Sequence, residues 1–334
     1  MQRPVRIGLV GLGRWGRVHL RTLLSLSDRC TVTHLCTSRP EHAALVPHPV
    51  TVVRTWRALL RAPCDAVVIA TPAATHAELL AACVRAGKPC LVEKPLCLDV
   101  ATATRLDRTV RASGVPVLVN HTHLFDPAYE ALKRAVANAG DPIRLIISEG
   151  MALGPFRTDV SVLWDRGWHD VSLCLDMMGR LPTRVAALGG PAGPNGFPEQ
   201  VSLRLEFPGG ACAWIQAGCL SVEKRRQLTV FTERRLYRWN AQGKVPLVWA
   251  PITFSRRTRG GIPEAPAWKA MRVEAVERPM RRMARCFLDG LHGRARDRFG
   301  TTLAVRVTRV LAACSRAMRH RAHGVHRQHS ASTI

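Results

Sequence analysis

The stretch that decides the fold reads VRIGLVGLGRWG and occupies residues 5–16. Its first half is apolar and predicts a short buried strand, and the apolar spacing over residues 18–26 predicts a helix. Between strand and helix, Gly11, Gly13 and Gly16 form a Gly-x-Gly-x-x-Gly pattern. Gly11 suits a tight turn, Gly13 allows the backbone to approach a phosphate closely, and Gly16 allows close contact between helix and strand. The stretch therefore predicts a dinucleotide-binding turn.

The residues around this turn indicate which dinucleotide binds. Arg14 and Trp15 open the helix, where backbone N–H groups and the helix dipole attract a pyrophosphate. An acidic residue about 20 positions further on would bind the ribose 2′-hydroxyl of NAD. This chain has Ser38 and Arg39 there, and a hydroxyl with a guanidinium suits the 2′-phosphate of NADP. Glu41 is the rival that would favour NAD, but the sequence favours NADP.

The first third of the chain alternates strand and helix patterns. The strands are short and continuously apolar, as in sheets that are buried on both faces. They are predicted at residues 5–10, 31–36, 50–53, 65–70, 89–93 and 115–120. This alternation predicts an α/β fold with a Rossmann domain, a doubly wound parallel sheet, over residues 1–121.

Residues 122–320 are predicted to form an α+β domain with an open, mostly antiparallel sheet. One helix is predicted near residues 162–178, and several strands follow it without helices between them. The turns Pro208-Gly209-Gly210 and Thr232-Glu233-Arg234 indicate two hairpins. We further expect loops at 189–198 and 241–266, helices at 273–291 and 301–318, and a basic, disordered tail at 321–334.

Positive charge is the unusual feature of the composition. The formal net charge is +25, and lysine supplies only six of the 49 cationic side chains. The arginines are spread along the whole chain, whereas a nucleic-acid footprint would gather them in a patch or stripe. We therefore interpret the charge as a bias in amino-acid usage and do not expect nucleic acid as a partner.

The cysteines and the hydropathy of the chain indicate the cellular compartment to expect. The eleven cysteines are odd in number and include no Cys-x-x-Cys pair, which argues against a disulfide framework and a zinc ribbon. No apolar run approaches the 18 residues of a membrane span, and the amino terminus lacks the apolar core of a signal peptide. We expect a cytoplasmic protein that needs no metal.

Three further motifs carry a family resemblance. Thr71-Pro72 with His76 follows the fourth strand, Glu93-Lys94-Pro95 follows the fifth, and Asp165-Arg166-Gly167-Trp168-His169 lies in the second domain. Together with the glycine turn, these motifs resemble the glucose–fructose oxidoreductase/inositol dehydrogenase/MocA (Gfo/Idh/MocA) family of NAD(P)-dependent oxidoreductases. The resemblance extends to about residue 320.

The resemblance implies catalytic roles for three residues. The family's Glu-Lys-Pro lysine, which contacts cofactor and substrate oxygen, corresponds to Lys94, and its Asp-x-x-x-His pair corresponds to Asp165 and His169. The residue chemistry agrees, because histidine works as an acid or base near neutral pH and an ammonium stabilises a developing alkoxide. A spacing of four residues on one helix would also place Asp165 and His169 on one face. Further cofactor contacts are expected from Thr71, Pro72, His76, Glu93 and Lys94.

Substrate contacts are expected near the end of the sixth strand and beside the Asp-x-x-x-His pair. The candidates are Asn120, His121, His123 and Trp168, and each has a rival structural interpretation as a strand-end cap or a core residue. The chain departs from the family at Ser172, where many members have a second aspartate, and at Trp168, where the residue is commonly small. The family also implies a homodimer or homotetramer formed through the C-terminal sheet.

The predicted activity is hydride transfer between a nicotinamide and a secondary alcohol or ketone of a sugar, polyol or related cyclic substrate. Two alternatives stay open. One is an NAD-dependent glycosidase that works by oxidation and elimination without net cofactor turnover. The other is a non-catalytic NADP-binding regulator, which would tolerate the loss of Lys94 or His169.

Overall fold

The computed structural model describes residues 3–252, 267–274, 277–293 and 300–328. The chain divides into two compact units, the first formed by Met1–Phe125 and Glu277–Arg309 and the second by Asp126–Val276 and Val310–Ile334. The boundary expected after residue 121 is therefore a few residues early. Glu277–Arg309, expected in the second domain, belongs to the first, because its helix packs on that unit.

Six parallel strands form the sheet of the first unit. They are β1 (Val5–Val10), β2 (Cys30–Cys36), β3 (Thr51–Val53), β4 (Ala66–Ile69), β5 (Cys90–Val92) and β6 (Val117–Val119). Their order across the sheet is β3-β2-β1-β4-β5-β6, which confirms the predicted doubly wound arrangement. Every residue of β4 and β5 is buried, as expected for central strands of such a sheet.

Helices connect these strands. They are α1 (Arg14–Leu24), a 3-10 helix (Pro40–Leu45), α2 (Trp56–Arg61), α3 (Ala73–Arg85), α4 (Val100–Ser113) and a second 3-10 helix (Thr122–Phe125). A later helix, α8 (Pro279–Gly290), completes the unit by burying Met283 and Phe287. The ion pair between Arg29 and Asp289, at 2.6 Å, joins this helix to the segment before β2.

In the part of the second unit that the structure describes, eight strands form one sheet. They are β7 (Ile143–Leu153), β8 (Arg184–Gly189), β9 (Gln200–Glu206), β10 (Cys212–Gly218), β11 (Leu220–Thr232), β12 (Arg235–Asn240), β13 (Leu247–Pro251) and β14 (Lys269–Ala270). Their order is β14-β13-β12-β11-β7-β10-β9-β8, and within the described residues only β7 and β10 pair in parallel. The mostly antiparallel sheet and both predicted hairpins are confirmed.

The helices of the second unit are α5 (Pro127–Ala139), α6 (Val162–Asp165), α7 (Gly167–Met178) and the end of α9 (Thr301–Gln328). The single helix predicted near residues 162–178 is thus broken at Arg166. The main-chain N–H of His169 donates to the Arg166 carbonyl at 3.0 Å, which tightens the chain at the break. The Arg166 guanidinium donates to the Gly154 carbonyl and to Cys219 Sγ, and these contacts hold the break in place.

Three other predictions are corrected. β13 lies within the predicted loop 241–266, because Leu247 and Ala250 are buried and the segment pairs with β12. The helix expected from residue 273 begins at Pro279, since proline lacks an N–H and occupies the first helical position. α9 continues to Gln328, so residues 321–328 are helical where a disordered tail was expected, and residues 329–334 lie outside the described residues.

Substitution at Gly16 tests how closely α1 packs on the glycine turn. A Cβ at Gly16 would lie 2.1 Å from the carbonyl oxygen of Gly11, whereas a Cβ at Gly13 would meet no atom within 4 Å. Gly16→Ala should therefore lower the free energy of unfolding by about 1–3 kcal/mol, measured by urea denaturation. Gly13→Ala is the matched control and should lower it by less than about 1 kcal/mol. Equal losses in the two variants would contradict this packing.

Candidate functional site

The glycine turn between β1 and α1 presents backbone donors. Gly11 has φ +88°, and a Cβ there would lie 2.7 Å from the carbonyl oxygen of Ala70, so the turn requires glycine. Gly13 is the N-cap of α1 and supplies no side-chain cap to the first turn, which begins with Arg14 and Trp15. Uncapped N–H groups at a helix N-terminus suit the oxygens of a pyrophosphate, so these residues fit a dinucleotide.

The chain leaves β2 directly beside this turn, because the N–H of Gly11 donates to the Cys36 carbonyl at 2.9 Å. Ser38 and Arg39 follow and are exposed. Among the residues that the structure describes, none forms a hydrogen bond or ion pair with the Arg39 guanidinium. The structure thus brings Ser38 and Arg39 to the sheet edge that carries the glycine turn.

His76 ties together the ends of β4 and β5. The side chain is buried, and its Nδ1 and Nε2 atoms lie 2.7 Å from the Pro95 carbonyl oxygen and 2.8 Å from the Thr71 carbonyl oxygen. Pro72 follows Thr71 and is the N-cap of α3. The two contacts of His76 fix the loops that carry Thr71 and the cis Lys94–Pro95 peptide. The expected cofactor contact of His76 stays a prediction.

Glu93 is the centre of a buried hydrogen-bond network. Its Oε1 accepts from His19 Nε2 and from Asn120 Nδ2, both at 2.7 Å, and its Oε2 accepts from the Lys94 main-chain N–H at 3.2 Å. Burial raises the pKa of Glu93, but the contacts with His19 and Asn120 outweigh burial and hold the pKa below its usual range. Glu93 therefore positions the chain at Lys94, and its expected cofactor contact stays a prediction.

Asn120 extends this network to α8. Its Oδ1 accepts from Thr122 Oγ1 at 2.5 Å, and its Nδ2 also lies 3.8 Å from Met280 Sδ. Both ends of the buried amide are engaged within the fold, and the expected substrate contact of Asn120 stays a prediction. Sequence reasoning missed Met280, because no local pattern connects α8 with the end of β6.

His121 and His123 have different surroundings. His121 is 1% exposed, and burial lowers its pKa to about 3, so the ring is neutral at physiological pH. His123 is half-buried in the 3-10 helix that follows. His121 thus lies buried in the core, and the expected substrate contacts of His121 and His123 both stay predictions.

Asp165 and His169 flank the break between α6 and α7. Asp165 closes α6, His169 lies in the first turn of α7, and both are half-buried. The two residues thus occupy successive helices, and the expectation of one continuous helical face is corrected. Arg157 Nη1 donates to Asp165 Oδ1 at 3.4 Å. Ser172 Oγ donates to the His169 carbonyl at 2.8 Å, so the serine supports the backbone of this turn.

The residues on either side of His169 are completely buried. Trp168 is 0% exposed, which favours its interpretation as a core residue, and its expected substrate contact stays a prediction. Asp170 Oδ1 accepts from Ser148 Oγ at 2.7 Å and from Arg226 Nη1 at 2.9 Å. Burial raises the pKa of Asp170, and the Arg226 charge opposes that rise. These contacts anchor the start of α7 to β7 and β11. Sequence reasoning missed them because Arg226 is one arginine among many.

Within residues 3–252, 267–274, 277–293 and 300–328, no group of three or more His, Cys, Asp or Glu is arranged to hold a metal ion. No helix in the same part of the chain is long and apolar enough to cross a membrane. All eleven cysteines are free thiols, and most are buried.

Acid should weaken the protein through His121. Its pKa falls from 6.5 to about 3 on folding, so the unfolded chain binds the proton more readily. The stabilisation is complete above pH 6.5 and is lost as the pH falls toward 3, by up to about 1.4 kcal/mol per pH unit. We expect His121→Gln to flatten the decline of the urea midpoint between about pH 6.5 and 4. His292→Gln, at an exposed histidine, should keep the wild-type slope. A wild-type slope in His121→Gln would contradict the prediction.

Comparison with known proteins supports the family at the level of both sequence and fold. Residues 5–121 match the GFO_IDH_MocA model, described as an oxidoreductase family with an NAD-binding Rossmann fold. The crystal structure of a protein described as an oxidoreductase from Magnetospirillum magnetotacticum MS-1 is 37% identical, with a TM-score of 0.83. That match covers 93% of this chain and 100% of the other.

Two named dehydrogenases are also similar. UDP-N-acetylglucosamine 3-dehydrogenase of Acidithiobacillus ferrooxidans is 28% identical over 278 residues, which is 82% of this chain and 83% of the relative. Inositol 2-dehydrogenase 2 of Paenarthrobacter aurescens is 30% identical over 195 residues, which is 55% of this chain and 58% of the relative. The family prediction is confirmed: this chain belongs to the Gfo/Idh/MocA family of oxidoreductases.

Proposed function

We propose that this chain is a dehydrogenase that transfers a hydride between the nicotinamide of NAD(P) and a secondary alcohol or ketone of a sugar, polyol or related cyclic compound. Two relatives are named as dehydrogenases of UDP-N-acetylglucosamine and of inositol, which are ring compounds with several hydroxyl groups. The presence of both Lys94 and His169 favours an enzyme over a regulator that only binds the dinucleotide.

The observation that carries this proposal is the buried network at Lys94. Glu93, His19 and Asn120 supply a carboxylate, an imidazole and an amide in a place that excludes water. Burying a carboxylate is unfavourable unless it is bonded on several sides, so such an arrangement is typical of a site that fixes a reactive residue. Lys94 itself is only 9% exposed, which strengthens any contact of its ammonium with a substrate oxygen.

The proposed mechanism assigns one task to each reactive residue. When bound, NAD(P)⁺ accepts the hydride that leaves the carbinol carbon. His169 removes the hydroxyl proton, and the Lys94 ammonium donates a hydrogen bond to the oxygen as negative charge develops on it. The carboxylate of Asp165 stabilises the imidazolium that forms. In the direction of reduction, His169 returns the proton to the same oxygen.

We further propose that NADP is preferred over NAD. The Arg39 guanidinium is exposed and unpaired among the described residues, and Ser38 beside it offers a hydroxyl. Both groups suit a 2′-phosphate dianion. Glu41, which would favour the free 2′-hydroxyl of NAD, is exposed in the following 3-10 helix.

Titration with NADPH and NADH, followed by nicotinamide fluorescence, tests this preference. Arg39→Ala should weaken NADPH binding about tenfold or more, because a charge-assisted contact is worth about 1.5–3 kcal/mol, and should leave NADH binding nearly unchanged. Arg85→Ala is the matched control. Arg85 is also an exposed arginine, but it lies at the C-terminal end of α3, the end that is remote from Thr71 and Pro72. Preference for NADH in the wild type, unaffected by Arg39→Ala, would contradict the NADP proposal.

Loss of the Lys94 ammonium should slow turnover. Lys94→Ala is expected to lower kcat/KM by about 10²–10³, the usual effect of removing one donor to a developing oxyanion. His169→Asn should lower it by about 10²–10⁴. Both variants should still bind NAD(P)H in the fluorescence titration. A screen of ring polyols and ketoses provides the assay, and wild-type activity in Lys94→Ala would sink the assignment. Glycoside cleavage without net NAD(P)H production would instead identify the oxidation–elimination alternative.

We propose that the chain forms a homo-oligomer through the open face of its second sheet. Trp214 on β10 and Leu188 on β8 are 56% and 52% exposed. The strand register places them on one face with Ser202, Arg204 and Gln216, opposite the buried residues of the same strands. Exposed tryptophan and arginine side chains on one face of a sheet suit an interaction surface. Sedimentation velocity measures the oligomeric state directly, and a monomer at micromolar concentration would contradict the proposed homo-oligomer.

We also propose a cytoplasmic location. Eleven free thiols, most of them buried, suit a reducing compartment, where disulfides do not form. Fractionation of cells that produce the protein tests this, and recovery from an oxidising compartment would contradict it.

A further inference from the structure

A pocket of about 140 Å³ lies in the second unit beside Asp165. Two loops form its walls, the segment between β7 and α6 and the segment between β8 and β9. Asn195 joins the two loops, because its Nδ2 donates to the Arg157 carbonyl at 2.8 Å and its Oδ1 accepts from the Phe197 N–H at 3.1 Å. The pocket is therefore a built feature of the fold, and it adjoins a residue of the proposed catalytic pair.

The only cation in the pocket wall is already neutralised within the described part of the chain. Arg157 donates from Nε and Nη2 to the two carboxylate oxygens of Asp159 at 2.9 and 2.6 Å. Its Nη1 donates to Asp165 Oδ1 at 3.4 Å. The guanidinium is thus engaged by two carboxylates and is not available to a phosphate or carboxylate group on a ligand.

Glu199 adds a carboxylate to the pocket wall. Its carboxylate has no hydrogen-bond or ion-pair partner among the described residues, although it is half-buried and lines the pocket. Its Oε1 lies so close to Gly193 that a Cβ there would be 2.6 Å away, which holds the carboxylate against this loop. In a chain with net charge +25, an unpaired carboxylate at a pocket wall is an uncommon feature that suits a cationic ligand.

Two aromatic rings complete the wall. Phe156 and Phe197 line the pocket and are 56% and 42% exposed. Exposed phenylalanine faces attract cations through the ring quadrupole, and they also offer apolar contact to the C–H groups of a ring. Carboxylates together with aromatic faces form the combination by which proteins bind organic ammonium groups.

We propose that this pocket binds the ammonium group of an amino-substituted sugar or cyclitol and so selects an amino-bearing substrate. The inference rests on the proposed function, since it treats the pocket as the substrate side of that site. Glu199 accepts hydrogen bonds from the ammonium, Phe156 and Phe197 contact the ring, and the Arg157–Asp159–Asp165 cluster excludes acidic analogues.

Ligand binding, measured by calorimetry with NADPH present, tests the proposal. The probes are glucosamine, glucose and glucuronate, with 2-deoxystreptamine and myo-inositol as a second amino–hydroxyl pair. We expect the amino member of at least one pair to bind about tenfold tighter than its hydroxyl partner, and glucuronate to bind weakest. Glu199→Gln should reduce the preference for the amino member to less than about threefold, because it removes the charge and keeps the shape.

Glu223→Gln is the matched control, because Glu223 is a highly exposed carboxylate on β11 and its loss changes the net charge by the same amount. It should keep the wild-type preference. No preference for an amino member, or a preference that survives Glu199→Gln, would overturn the proposal. Nicotinamide fluorescence in the same samples distinguishes failure of the proposed function from failure of this inference. Failure to bind NADPH or NADH would strike the proposed function, whereas normal cofactor binding without amine selectivity would strike this inference alone.

Discussion

A buried carboxylate holds the carboxyl edge of the parallel sheet in place. Transfer of Glu93 from water to the interior is strongly unfavourable unless its oxygens are satisfied. His19 on α1, Asn120 after β6 and the main chain of Lys94 provide the bonds. Since these partners come from three separate elements, the positions of the glycine turn and of the Glu-Lys-Pro loop depend on one another. Removing any partner leaves a charge in a place that water cannot reach.

The second unit repeats this principle at the other proposed catalytic residue. Glu93 immediately precedes Lys94, and Asp170 immediately follows His169. Asp170 is completely buried and bonded to Arg226 and Ser148. In both units the reactive residue thus stands beside a charge that is locked in the interior. Such an arrangement restricts the backbone at the reactive position, while specificity is left to the surrounding loops.

Features that act within a few residues could be predicted from the sequence, including the glycine turn, the alternation of strands and helices, and both hairpins. Features decided by distant segments could not. No local pattern shows that Arg226 pairs with Asp170, since the chain offers many arginines. Burial of Trp168 and His121 is likewise a tertiary property, because the same side chains suit a ligand pocket or a core. The break at Arg166 could not be predicted, because the neighbouring Gly167 lies inside a helical pattern and such glycines are often tolerated in helices.

The return of Glu277–Arg309 to the first unit has a consequence for biosynthesis. The chain leaves this unit at Phe125 and comes back roughly 150 residues later, so most of the second unit is an insertion. α8 contacts α1 and pairs with the segment before β2, yet it emerges from the ribosome long after the six strands. The dinucleotide-binding unit therefore lacks α8 until the inserted residues have been synthesised. A fragment that ends at Phe125 would expose the apolar surface that α8 covers, and would be prone to aggregate.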